Sequence, residues 1–349
     1  MKQFIQGVQV TLTTMDCMAI LLRHSDPVHH HPEHAMVDGL IALNYPTVGM
    51  RAIRELQVLK FLGSDFLEGR HSFQITSEGV VVYPRTEILL RGVPSVSGGA
   101  QARARFGVPS LDEMLRGGLP GASTTMLLGV PGSGKTVLGL HFLLAGARAD
   151  QVGLLFSFNE TAERLLRKGN DTGLDIAPHV ERGMIEILWR RPVENDIDAL
   201  AEDLLANVRE RKVERLFLDG LNGFYQAAAH PARLEGFIMA LTNELRSLGV
   251  TTVLTVASRR VFGPDLEVPI MGVTAIMDNI ILLRYVELRS QLYRLVSILK
   301  ARETDYDPTI REFRIVNDGI EVADSFESAE AILTGIARPL PPDTTAPPR

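Results

Sequence analysis

One cysteine and one tryptophan stand among 349 residues. A lone Cys17 closes no internal disulfide, so the chain is not a stapled secreted fold and suits a reducing, cytoplasmic compartment. No apolar run approaches the ~20 residues of a membrane-crossing helix. The longest, such as 251–257 and 280–283, are strand-sized. Met1-Lys2-Gln3-Phe4 does not open a charged region, apolar run and small-residue cleavage site, so no secretory leader is expected. Positive charge is not in excess either: 36 Lys plus Arg against 42 Asp plus Glu give a formal net charge of −6. A nucleic-acid binder would need a local basic patch interleaved with aromatics, and none is visible. With 45% hydrophobic and 22% charged residues, the composition is that of an ordinary globular protein of one large domain or two moderate ones.

Residues 91–105 (RGVPSVSGGAQARAR) carry Gly, Ser, Ala and Pro without apolar periodicity and read as a linker. Beyond it, strand-like runs at 124–129, 152–158, 184–188, 215–219, 250–257 and 279–283 alternate with helical patterns, among them 135–148, 194–211 and 231–248. The 194–211 segment reads as an amphipathic helix on the sheet face. Such alternation predicts crossover connections and an α/β fold with a mainly parallel sheet covered on both faces. The tail 336–349 is proline-rich and expected to be disordered.

An internal repeat emerges on displacing the sequence by 240 positions. Residues 38–83 then fall on 278–323 without a gap, and 12 of the 46 pairs are identical, including Tyr45/Tyr285, Arg54/Arg294, Lys60/Lys300, Phe73/Phe313 and Gly79/Gly319. Unrelated segments of this composition would share roughly 3. Residues 1–90 therefore read as a partial copy of the end of the second domain, half a parallel sheet with an unpaired edge and no phosphate loop. It either docks on another surface or subunit or is the remnant of a longer tandem protein.

The chemistry concentrates where Gly129, Val130, Pro131, Gly132, Ser133, Gly134, Lys135 and Thr136 satisfy G-x-x-x-x-G-K-[ST] between an expected strand and a helix opening through Val137. Glycines let backbone N–H groups turn around phosphate oxygens, and the helix N-terminus favours negative charge. Lys135 is then placed for the β- and γ-phosphates of ATP, and the Thr136 hydroxyl for Mg2+. Residues 215–219 (RLFLD) form an apolar strand ending in Asp219, a carboxylate suited to the magnesium's shell opposite Thr136. Glu160, at the tip of the 152–158 strand, is the candidate base that orients a water on the γ-phosphate. Its bland alternative is a solvated glutamate in the first turn of a helix 160–168. His24, His29, His30, His31 and His34 crowd into 11 residues, but adjacent imidazoles in a Pro-containing loop rarely converge on one ion, so a solvated loop is expected. Trp189, placed just after a strand, reads as packing.

The lead-in FGVPSLDEMLRGGLP (106–120) resembles that of RecA-type ATPases. Together with GVTTVLTV (249–256), DNIILLRYVELR (278–289), ILKAR (298–302) and REFRIVNDGIEVADSF (311–326), it is similar to the KaiC family of ATPases from about 106 to 335, most closely to that family's second domain. The resemblance implies a RecA-like fold, a ring, usually a hexamer, and ATP at the subunit interfaces. It further implies a Lys-x-Arg pair reaching the neighbour's γ-phosphate, here Lys300 and Arg302. In the N-terminal copy that pair becomes Lys60 and Leu62. Two departures stand out. The family carries adjacent glutamates where this chain has Asn159 and Glu160, and slow turnover follows if the first is the better base. The family also phosphorylates itself on a Ser-Thr pair, matched here by Thr274-Ala275, which leaves Thr274 as the single acceptor.

The leading expectation is an ATP- and Mg2+-dependent, ring-forming ATPase that couples nucleotide state to a signalling partner, without membrane or nucleic acid. The alternatives are a Ser/Thr autokinase, a non-catalytic nucleotide-sensing scaffold and, disfavoured by charge, a DNA recombinase.

Overall fold

The computed structural model describes residues 2–24, 32–92, 102–192, 196–258, 272–288, 290–302 and 304–323. Most of the 91–105 linker, the 336–349 tail and His29, His30 and His31 lie outside that set. The chain divides into two compact units, Met1–Leu89 and Leu90–Arg349.

The first unit holds helix α1 (Lys2–Thr14) and a four-stranded sheet of β1 (Gly39–Asn44), β4 (Glu55–Phe61), β5 (Arg70–Thr76) and β6 (Gly79–Tyr83). A small hairpin of β2 (Thr47–Val48) and β3 (Arg51–Ala52) and a short α2 (Thr86–Leu89) complete it. All neighbours in the larger sheet are antiparallel, which corrects the expectation of half a parallel sheet. The β2–β3 hairpin segment joins β1 to β4 and short loops join β4 to β5 and β5 to β6, whereas a parallel pair would need a longer crossover.

The second unit begins with α3 (Pro109–Met114) and β7 (Thr124–Gly129), which runs through the glycine-rich loop into α4 (Lys135–Ala147). There follow β8 (Gly153–Ser157), α5 (Ala162–Asp171), α6 (Ala177–Glu181), β9 (Ile185–Trp189), α7 (Ile197–Arg211), β10 (Arg215–Asp219), α8 (Asn222–Ala227), α9 (Leu234–Ser247), β11 (Thr251–Ala257) and α10 (Val273–Ile276). The chain then makes β12 (Asn279–Leu288), β13 (Gln291–Ala301), β14 (Arg311–Val316) and β15 (Gly319–Val322). One nine-stranded sheet runs β15-β14-β13-β12-β7-β11-β10-β8-β9. The six strands from β12 to β9 are mutually parallel, and β13 to β15 extend the sheet antiparallel. β7, β8 and β10 are buried along their whole length because helices cover both faces. Alternate residues feed two cores: Met126 and Leu128 pack with Leu204 of α7 and Leu241 of α9, while Leu127 packs with Phe142 of α4 and Phe313 of β14.

Five sequence expectations shift. The antiparallel strands β13 to β15 were not anticipated, and β12 runs on to Leu288. The first residues of the 231–248 helix form a 3-10 turn, Pro231–Arg233, ahead of α9. Trp189 is the last residue of β9, with the Arg191 guanidinium 5.3 Å from its ring centre, and does not follow the strand. Helix α5 starts at Ala162 behind an N-cap at Thr161, so Glu160 precedes the helix and is not in its first turn.

The two sheets share their register at the 240-residue displacement. Gly39 opposes Phe61 as Asn279 opposes Ala301, and the pairing slips once in each, at Leu40/Ile41 and at Ile280/Ile281. Phe73 opposes Val82 as Phe313 opposes Val322. Lys60 Nζ donates to the Ala35 carbonyl as Lys300 Nζ does to that of Ala275.

Candidate nucleotide-binding site

The loop after β7 is shaped by its glycines. Gly132 and Gly134 sit at φ 82° and 102°, where a side chain would be strained. A Cβ on Gly134 would also press to 2.7 Å from the Phe313 ring, so β14 closes against the start of α4. Gly134 caps α4, and the free N–H groups of that first turn face the loop.

Lys135 Nζ donates to the carbonyls of Gly129 at 2.7 Å and Val130 at 2.8 Å. Burial pulls its ammonium down to about 8, with Asp219 opposing that fall. Thr136 Oγ1 lies 3.4 Å from Asp219 Oδ2. The other oxygen of Asp219 accepts the Thr255 hydroxyl at 2.9 Å, and the same hydroxyl accepts Gly220 N–H at 2.8 Å. Asp219 is buried, which raises its carboxyl above the ordinary carboxylate value; the Thr255 hydrogen bond works the other way. A hydroxyl and a carboxylate meeting at a strand end are hard oxygen donors of the kind magnesium takes, so these residues fit that ion.

A cleft of about 520 Å³ opens above these groups, lined by Pro131, Gly132 and the helix start from Gly134 to Val137 together with Asn159, Glu160, Lys168, Asp219 and Thr255 among others. Asn159 and Glu160 both donate their backbone N–H to Ser157 Oγ, which fixes the turn leaving β8. The Asn159 amide reaches the Asp219 carbonyl at 3.4 Å, linking the tips of β8 and β10. Glu160 is ion-paired with Lys168 of α5.

The structure thus brings Lys135, Thr136, Asp219 and Glu160 around one cleft. Lys300, Arg302 and Thr274 form a second group apart from the cleft's lining. Lys300 Nζ donates to the carbonyls of Thr274 at 2.9 Å and Met277 at 2.6 Å, and Arg302 donates to that of Ala275 at 2.7 Å. Both cations therefore satisfy carbonyls at the end of α10. Burial and the neighbouring Arg302 lower the Lys300 ammonium.

Sequence reasoning missed Lys168, Thr255 and Tyr285. Lys168 lies eight residues after Glu160, outside the three- or four-residue spacing of helical pairs, and only the turn before α5 brings the two together. Thr255 comes from a strand distant in sequence, and nothing local marks it. Tyr285 Oη donates to the Gly132 carbonyl at 2.8 Å and accepts Arg294 Nε at 3.2 Å, a contact that only the β12–β13 hairpin creates. Among the described residues no group of three or more His, Cys, Asp or Glu could hold a metal ion, and no helix is long and apolar enough to cross a membrane.

The family described as KaiC ATPase matches residues 104–327. The circadian clock oscillator protein KaiC 1 of Synechocystis sp. is 27% identical over 303 residues, 87% of this chain and 57% of that protein. KaiC of Synechococcus elongatus is 26% identical over 327 residues, 94% of this chain and 62% of that protein. KaiC of Parasynechococcus marenigrum is 26% identical over 304 residues, 87% of this chain and 58% of that protein. The chain thus spans less than two thirds of the length of these relatives.

Proposed function

Because the chain belongs to the KaiC family of ATPases, with a RecA-like P-loop domain, we propose that it hydrolyses ATP at the cleft between the β7–α4 loop and the tips of β8 and β10. The observation that carries this reading is the meeting of Thr136, Asp219 and Glu160 over one glycine-rich loop. In this reading residues 106–335 are the ATPase domain, 1–90 a partial repeat joined by the linker 91–105, and 336–349 a tail.

The residues divide the work. Backbone N–H groups of Gly132, Ser133 and Gly134 and of the helix start bind phosphate oxygens, and Lys135 exchanges its loop carbonyls for the β- and γ-phosphates. Thr136 and Asp219 would hold magnesium, which when bound neutralises phosphate charge. Glu160 takes the proton of the attacking water as a P–O bond forms at the γ-phosphorus. The bond to the β–γ bridging oxygen breaks, and ADP leaves with its electron pair. Lys168 holds the Glu160 carboxylate at the cleft. Lys300 and Arg302 act on a neighbouring subunit's nucleotide in a hexameric ring, because phosphoryl transfer is catalysed mainly by positioned charge. The ring's nucleotide state would then govern contact with a signalling partner in the cytoplasm.

A second reading is favoured by one contact. Lys300 binds the Thr274 carbonyl, so a cation that reached the next subunit's γ-phosphate would carry Thr274 beside it as an autokinase acceptor. Incubation with γ-labelled ATP and Mg2+ separates the readings. Label in free phosphate, lost in Lys135→Ala, is expected. Label on the protein would favour the autokinase, and label retained in bound ATP would overturn catalysis in favour of a nucleotide-sensing scaffold.

A further inference from the structure

Gly132 and Ser133 share a peptide bond in the phosphate loop, and the orientation of that bond decides what the loop offers to a ligand. A trans peptide points its C=O and its N–H in opposite directions. With the Gly132 carbonyl facing outward, the Ser133 N–H faces into the loop as a donor. Turned over, the plane would aim a carbonyl at phosphate oxygens and repel them. Gly132 sits at φ 82°, and glycine takes either hand of the backbone about equally, so the residue does not settle that choice by itself.

Tyr285 settles it from outside the loop. Its Oη donates to the Gly132 carbonyl at 2.8 Å. The Ser133 N–H donates to the Val130 carbonyl at 3.2 Å, the same carbonyl that Lys135 Nζ binds at 2.8 Å. Both donors thus converge on one acceptor, whose place phosphate oxygens can take. The phenol is itself held. Tyr285 and Arg294 are direct partners across β12 and β13, with the guanidinium carbon 5.4 Å from the ring centre and Nε donating to Oη at 3.2 Å. Arginine has no acceptor, so the phenol accepts from Arg294 and its only proton is left for Gly132. The stack forms without a loop to receive it: Arg54 lies 5.2 Å over Tyr45 in the first unit, and residues 38–83 contain no glycine-rich phosphate loop. The hairpin therefore builds the pair, and the loop is oriented by it.

We propose that Tyr285, oriented by Arg294, is a positioning residue for phosphate binding: by holding the Gly132 carbonyl outward it presets the Ser133 N–H as a donor to the phosphate oxygens of a nucleotide. Tyr285 acts on the ligand only through the loop backbone. The inference rests on the reading of this loop as a nucleotide site and not on hydrolysis at Glu160.

The test compares the full chain with Tyr285→Phe, which removes the hydroxyl and keeps the ring. Amide hydrogen exchange without nucleotide reads the grip. The Ser133 amide should exchange about 3- to 10-fold faster in the variant, while protected β7 and α4 amides show that the domain is folded. Calorimetry with ADP and with inorganic pyrophosphate, both in EDTA, reads the consequence. Each should bind about 3- to 10-fold more weakly, and by the same factor, because the phosphates alone carry the loss. Arg294→Leu should weaken both by less, since the phenol remains. Unchanged exchange together with unchanged affinities would overturn the proposal. A loss for ADP with pyrophosphate unaffected would overturn it too, by placing Tyr285 at the base or sugar. A wild-type chain that bound neither probe, with its Ser133 amide still slowed by the phenol, would overturn the nucleotide-site reading and the phosphate role with it.

Discussion

Burial brings the Lys135 ammonium down from 10.5 to about 8, and this one shift has two consequences of opposite sign. Between pH 8 and 10.5 the unfolded chain holds more proton at this lysine than the folded chain does. The residue's contribution to stability therefore rises with pH across that window. Affinity for ATP falls across the same window, because the neutral amine no longer attracts phosphate. Titration calorimetry from pH 7 to 9.5 should show this loss, and Lys135→Arg should abolish its pH dependence, since a guanidinium stays charged. Lys135→Ala should weaken ATP about 10- to 100-fold at pH 7, the value of a charged hydrogen bond. Glu160 presents a different case, because the role proposed for it is on the attacking water and not on the phosphates. Glu160→Gln should lower kcat by about 10²–10⁴ with ATP binding preserved, and single-turnover kinetics with a parallel Kd measurement checks the split.

At the scale of elements, α4 is held at its middle by a contact far away in sequence. His141 Nε2 accepts the Ile320 N–H at 2.9 Å and so fixes β15 to the phosphate-loop helix. Burial and Arg148 lower the imidazolium to about 4, so His141 is a neutral acceptor at pH 7. Its folded-state value lies below the unfolded one, and the unfolded chain binds the extra proton between 6.5 and 4. Stability is therefore lost as pH falls through that window. His141→Leu should remove this part of the acid slope while costing about 1–3 kcal/mol at pH 7 for the unsatisfied buried N–H, as urea unfolding at several pH values would show. The same scale explains what was legible beforehand. The loop from Gly129 to Thr136 could be read because phosphate binding needs its residues contiguous, and β7 to β11 because each is an apolar run followed by a helix. β13 to β15 were missed because alternation of strand and helix stops at β12. The chain then turns back through Ser290 at φ 61° and through Asn317-Asp318-Gly319, hairpin signals that call for antiparallel pairing.

At the scale of the whole molecule, the cleft residues and the cation pair that the family resemblance assigns to a neighbouring subunit's nucleotide stand apart in a single chain. Lys135, Thr136, Asp219 and Glu160 share the cleft, whereas Lys300 and Arg302 bind the carbonyls of Thr274, Ala275 and Met277. Residue patterns reveal which groups do chemistry, but whether two of them serve the same phosphate depends on a symmetry operation that no single chain contains. A head-to-tail ring is the arrangement that would reunite them, since every subunit then offers its cleft to one neighbour and its cation pair to the other. Complementation tests this directly. Lys135→Ala and Arg302→Ala should each be nearly inactive alone. In a randomly mixed ring, a site is restored only where a subunit with intact Lys135 sits beside one with intact Arg302, so an equal mixture should recover about one quarter of wild-type turnover. If Arg302 instead served its own cleft, no mixture of the two variants could restore activity, because every chain would lack one of the two groups.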